Sequence, residues 1–121
     1  MSKILVIDDE IETCNVLSEF LKRKKYDVSI ATKGEEGISK VESDKPQVVL
    51  LDIRMPGMDG MEVLRRIKQM NKDIDVIMIT AVNEEEIGKE AMKLGAFDYI
   101  TKPISLNYLE TVVLFKLFIR G

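Results

Sequence analysis

The chain has 121 residues, 45% hydrophobic and 32% charged, with a net charge of -3 and acid and base mixed along its length. That is the size of one domain able to bury a core without staples. It has neither the basic stripe of a nucleic-acid surface nor an apolar run near the ~20 residues that span a bilayer. It has no histidine and a single cysteine, Cys14. This excludes a Ser-His-Asp triad, a histidine-based metal site, a phosphohistidine and an internal disulfide, and makes the cytoplasm the expected location.

Lys3 to Asp8 is a continuous apolar run ending in acid, the pattern of a strand covered on both faces. The first residues enter this strand directly, so no signal peptide is expected. Residues 11 to 24 change period: Ile11, Cys14, Leu17 and Leu21 mark an amphipathic helix. Lys22 to Lys25 form its solvated basic end, and Cys14 faces the core. Asp27 to Ala31 is a second strand. Gly34 to Val41 is a helix weakened by Gly34 and Gly37, and Asp44, Lys45 and Pro46 break it. Gln47 to Asp52 is a third strand, followed by turn residues Pro56 and Gly57. Met61, Leu64 and Ile67 mark a third helix, with Asp59 as its cap or turn former.

Ile74 to Thr80 is a fourth strand. Asn83 is the expected N-cap of the next helix, with Glu86 at capping-box spacing and Val82 and Ile87 as a staple. Gly95 ends that helix. Phe97 to Thr101 is the fifth strand. Ser105 caps a last helix running to about Ile119, with Ile104 and Leu109 as a second staple pair. Five alternations of strand and helix with short links predict a doubly wound α/β fold with a five-stranded parallel sheet. The whole chain, 1–121, is expected to be one domain.

Functional groups collect at the carboxyl ends of the strands, where ligands bind in such sheets. The first strand supplies Asp8 and Asp9, the third Asp52, the fourth Thr80 and the fifth Lys102. In strand order 2-1-3-4-5 the first and third strands are neighbours, so three carboxylates share one space. Their repulsion is relieved by protonation or by a hard cation, and Mg2+ suits one or two carboxylates plus phosphate oxygens. With Lys102 and the Thr80 hydroxyl, the set fits phosphoryl transfer. Asp52, alone at the centre, is the better nucleophile for an aspartyl phosphate.

Together these motifs resemble the receiver domain of bacterial two-component response regulators. The resemblance rests on Val6-Ile7-Asp8-Asp9-Glu10, Leu51-Asp52-Ile53-Arg54-Met55-Pro56-Gly57-Met58-Asp59-Gly60, Ile79-Thr80-Ala81 and Tyr99-Ile100-Thr101-Lys102-Pro103. It implies a flavodoxin-like fold in which Asp52 accepts the phosphoryl group. Asp8, Asp9, Asp52 and the backbone carbonyl of Arg54 would hold Mg2+. Lys102 would contact the phosphate, Thr80 would be the switch hydroxyl and Tyr99 the switch aromatic, with Ala81 keeping the space beside the phosphoryl group small.

The same resemblance implies a sensor histidine kinase or phosphotransfer protein as partner. It also implies a changed surface on the fourth helix, fifth strand and fifth helix. The domain would catalyse only its own phosphotransfer and dephosphorylation. It would touch neither nucleic acid nor membrane. It would be either a stand-alone receiver or one cut from a longer protein.

Other readings are weaker. A small Mg2+-dependent phosphatase wants a second carboxylate two residues past the nucleophile, where this chain has Arg54. A flavin module wants a hydroxyl- and Gly-rich phosphate loop, where it has Asp8-Asp9-Glu10. An unphosphorylated docking module would lack a motif residue, and none is missing.

Three finer expectations follow. The Lys102–Pro103 peptide is expected to be cis, a form only modestly disfavoured before proline. Arg54 and Val82 offer no carboxylate or amide to orient water, so self-dephosphorylation is expected to be slow. On the last helix, Leu109, Val113 and Leu117 form an inner face, while Leu114, Phe115, Phe118 and Ile119 spread around the rest. This predicts a self-association surface.

Overall fold

The computed structural model describes residues 2–55, 57–81 and 84–120, excepting the side chains of 114, 116 and 118–120. Strands and helices alternate: β1 (Lys3–Ile7), α1 (Ile11–Arg23), β2 (Asp27–Ala31), α2 (Gly34–Asp44), β3 (Val48–Asp52), α3 (Gly60–Met70), β4 (Asp75–Thr80), α4 (Glu85–Lys93), β5 (Asp98–Thr101) and α5 (Leu106–Arg120). All strand pairs are parallel, in the expected order β2-β1-β3-β4-β5.

The central strands β1, β3 and β4 are largely apolar because both sheet faces are covered, while the edge strands β2 and β5 carry polar residues such as Ser29 and Asp98. One face carries Ile4, Val6, Leu50, Ile77 and Ile79 against Cys14, Leu17 and Leu21 of α1 and Leu109, Val112 and Val113 of α5. The other carries Leu5, Ile7, Leu51, Val76 and Met78 against Val41 of α2, Val63, Leu64 and Ile67 of α3 and Ala91 of α4. Each Val, Leu, Ile or Met among these stabilises the fold by about 1.5–3 kcal/mol when fully buried. Among the described residues no helix is long and apolar enough to cross a membrane.

Register sets the site. Ile7 pairs with Leu51, so Asp8 lies beside Asp52 where β1 and β3 end. Thr80 pairs with Thr101, which brings Lys102 to the same rim.

Several boundaries shift from the sequence expectation. Helix α2 continues three polar residues past Val41 to Asp44, because backbone hydrogen bonding does not need the apolar stripe. Lys45 closes it in the left-handed region at φ 51°. The residue flanking α4 is Glu84, without a side-chain cap; the expected Asn83 cap and Val82 staple position lie outside the described residues. The Asp59 cap is present, its carboxylate accepting the Glu62 N–H at 3.0 Å. Ser105 likewise accepts the Tyr108 N–H at 3.3 Å. The inner face of α5 is wider than expected, since Val112 is buried beside Leu109 and Val113. Phe115 is exposed and stacks on Phe97 with ring centroids 6.5 Å apart. The side chains of Leu114, Phe118 and Ile119 lie outside the described residues. The Lys102–Pro103 peptide is cis, as expected.

Candidate functional site

Each acidic group at the rim is placed by backbone. The Asp8 N–H donates to the Ala31 carbonyl at 3.1 Å, extending the β1–β2 ladder by one residue. Asp8 Oδ1 accepts the Glu10 N–H at 2.9 Å, which turns the chain out of the strand. Beneath it the Cys14 thiol donates to the Asp8 carbonyl at 3.2 Å. Burial, with the Asp8 charge second, pushes the Cys14 thiol up to about 11. Cys14 is therefore a packing residue that supports the rim and not a nucleophile at neutral pH.

Asp52 ends β3 almost wholly buried, and its Oδ1 accepts the Arg54 N–H at 3.2 Å. Its other oxygen, Oδ2, faces Lys102 Nζ at 3.7 Å. Carboxylate oxygens of Asp8, Asp9 and Asp52 lie within 4.8 Å of one another, with Asp8 and Asp52 buried and Asp9 exposed. The sequence places these three and Lys102 at one rim, and the fold brings them together.

The electrostatics of this cluster are unfavourable without a further cation. Burial, then the Asp8 charge, pushes the Asp52 carboxyl up to about 6, against the lowering effects of Lys102 and the Arg54 N–H. Burial also raises Asp8, against the Glu10 N–H and Lys102. Asp8 Oδ2 is buried with no hydrogen-bond partner among the described residues, and Lys102 approaches it only to 4.0 Å. An unpartnered buried carboxylate oxygen is costly. It is what a hard cation with oxygen ligands would satisfy. The residues present therefore fit a divalent metal.

Thr80 lies at the end of β4, and its buried Oγ1 also lacks a partner among the described residues. Alternation along the strand turns Thr80 to the same sheet face as Met78. Tyr99 packs on that face too, partly buried under α4. Thr80 and Tyr99 thus share one sheet face in neighbouring strands, Thr80 pairing with Thr101 and Tyr99 with Met78.

Sequence reasoning missed three contributors. Glu10 Oε1 lies 3.7 Å from Lys102 Nζ, sharing this cation with the site. Glu84 forms an ion pair with the Arg54 side chain, linking the loop after β3 to the start of α4; pairs between distant loops leave no trace in local sequence pattern.

Gly60 is the third. Its N–H donates to the Ile53 carbonyl at 2.8 Å. A Cβ there would lie 2.4 Å from the Asp52 carbonyl oxygen and 2.6 Å from Ile53 Cα. Both are backbone atoms that cannot step aside. Gly60 lets α3 press onto the end of the Asp52 strand. Gly60→Ala is expected to destabilise the protein by at least about 2 kcal/mol, in the range of core overpacking. Denaturant unfolding checks this, and an unchanged midpoint would contradict the close approach.

Comparisons with known proteins agree with this geometry. The profile of the response regulator receiver domain matches residues 4–114. The alkaline phosphatase synthesis transcriptional regulatory protein PhoP of Bacillus subtilis (strain 168) is 42% identical over 103 residues, 85% of this chain and 43% of that protein. The transcriptional regulatory protein ZraR of Escherichia coli (strain K12) is 37% identical over 110 residues, 91% of this chain and 25% of that protein. The chain thus spans less than half the length of either relative. Among solved structures, a response regulator receiver domain protein from Clostridium thermocellum superposes with a TM-score of 0.95 at 30% identity, covering 99% of this chain and 97% of that one.

Proposed function

Because the chain belongs to the response regulator receiver domain family of two-component systems, we propose that Asp52 is its phosphoacceptor and that Asp8, Asp9 and Lys102 build the reaction site around it. The observation that carries this reading is the convergence of three carboxylates within 4.8 Å, with Lys102 at 3.7 Å from Asp52.

The chain's own groups supply most of the chemistry. The Arg54 N–H fixes one oxygen of Asp52 and leaves the other on the Lys102 side. The carboxylate attacks phosphorus in line. The bond from phosphorus to the donor breaks, and its electron pair leaves with the donor, which is a phosphohistidine on a sensor histidine kinase or phosphotransfer protein. Lys102 holds a positive charge where phosphoryl oxygens gather negative charge. Asp8, Asp9, Asp52 and the Arg54 carbonyl would hold Mg2+, which when bound would supply further positive charge to neutralise the carboxylates and phosphoryl oxygens.

Thr80, buried without a partner among the described residues, donates its hydroxyl to a phosphoryl oxygen, and Tyr99 on the same sheet face responds. New local hydrogen bonds of this kind switch loops and rotamers, here at α4, β5 and α5. The domain acts on itself, not on outside substrates, and works in the cytoplasm.

Two tests bear on this. Phosphoryl uptake from acetyl phosphate should need Mg2+ and be much slower in Asp9→Ala, and labelling that ignores chelation would contradict the metal assignment. Mg2+ at ten times its Kd should also stabilise the native state by about 1.4 kcal/mol, and less so in Asp9→Ala at the same concentration.

The exposed Phe115 on α5 supports self-association through α4, β5 and α5, strengthened by phosphorylation. Sedimentation with and without the phosphoryl group checks it, and a monomer in both states would count against it.

A further inference from the structure

Gly88 lies inside α4 and is buried. A glycine in a helix interior weakens the helix relative to alanine, so the position is locally unfavourable. Its surroundings supply a reason. A Cβ at 88 would lie 2.7 Å from Tyr99 Cδ2, 2.9 Å from Cγ and 3.1 Å from Cε2. Carbon atoms pack best at about 3.5–4.0 Å, so a methyl and this ring cannot both stay. The nearest atoms include Cγ at the root of a rigid ring, whose position is set by the β5 backbone. Only rotation of the Tyr99 side chain or a shift of α4 relieves the contact.

We infer that Gly88 is a positioning residue of the switch: it seats the Tyr99 ring directly on α4, so that the ring's rotamer and the helix's position change together. The inference rests on Tyr99 being the switch aromatic, as proposed above. A second link ties the same helix turn to the phosphoacceptor. Gly88 donates its N–H to the Glu84 carbonyl at 3.2 Å, and the Glu84 side chain is paired with Arg54, two residues beyond Asp52. The first turn of α4 is therefore held by the Asp52 loop at Glu84 and by the switch ring at Gly88. A change at either point is felt at the other through one helical turn.

The inference has a test with a change of sign. In the otherwise natural chain, Gly88→Ala lowers the unfolding midpoint despite its better helix propensity. In a Tyr99→Ala background the ring is gone, and the same Gly88→Ala substitution raises the midpoint. A Gly88→Ala substitution that stabilises both backgrounds alike would overturn the seat.

The switch itself is read with 3-fluorotyrosine incorporated at Tyr99 after Tyr26→Phe and Tyr108→Phe, which leaves one fluorine resonance. Acetyl phosphate with Mg2+ shifts this resonance when residue 88 is glycine. Gly88→Ala shifts it before any phosphorylation, and phosphorylation then moves it less. A resonance unmoved by Gly88→Ala overturns the coupling. A resonance unmoved by phosphorylation with glycine at 88 instead removes the reading of Tyr99 as the switch, and the coupling with it, while leaving the sign change in stability intact.

Discussion

Asp52→Asn is expected to stabilise the metal-free protein by about 3 kcal/mol at pH 7.5 and by almost nothing at pH 4. Asp52 is buried beside Asp8, and its carboxyl moves from an ordinary 3.8 to about 6; at about 1.36 kcal/mol per pH unit this gives the magnitude. The sign follows from proton binding. Between pH 4 and 6 the native state holds a proton that the unfolded state has released, so native stability is full below about pH 4 and falls as pH rises through about 6. Asparagine keeps the oxygen that accepts the Arg54 N–H and carries no charge, so the variant does not suffer this loss. Added Mg2+ narrows the gap, because it binds the natural site and relieves the same repulsion. Urea unfolding at the two pH values is the measurement. A variant no more stable at pH 7.5, or a gap that ignores pH, would mean that Asp52 is not under electrostatic strain.

Lys102→Ala is expected to slow phosphoryl uptake by about 100-fold or more, the usual effect of removing one preorganised group that stabilises charge in the transition state. Lys102 is a cation shared by Asp52, Asp8 and Glu10 at 3.7, 4.0 and 3.7 Å. As phosphorus is attacked, negative charge develops in the space these groups enclose, and no other lysine or arginine among the described residues is ion-paired to Asp52 or Asp8. Time-resolved intact-mass measurement with acetyl phosphate reads the rate. A rate within about threefold of the natural chain would show that Lys102 only neutralises the carboxylates around it.

The sheet was legible because the central strands are mostly apolar runs that end at or just before an acidic or hydroxyl residue, as in Val48 to Asp52 and Val76 to Thr80. The rim was legible because, in a parallel sheet, residues at the ends of adjacent strands must meet, and Asp8, Asp52, Thr80 and Lys102 each end a strand or directly follow one. What stayed hidden depends on distant pairings. Gly88 looks like a weak helix position until the Tyr99 ring is placed on it. Gly60 looks like a turn residue until the Asp52 carbonyl is found beneath it. Glu84 looks like a helix-start acid, although its carboxylate holds Arg54. Buried Val112 on α5 was missed because that helix is apolar nearly all round, so periodicity could not separate its inner face from its outer one.

The assignment of Asp52 as phosphoacceptor is tested most directly by treating the protein with acetyl phosphate and Mg2+ and mapping the added mass by peptide. One phosphoryl group on Asp52, absent after chelation and absent in Asp52→Asn, is the expected result. A phosphoryl group on any other residue of the natural chain, or equal labelling of Asp52→Asn, would contradict it.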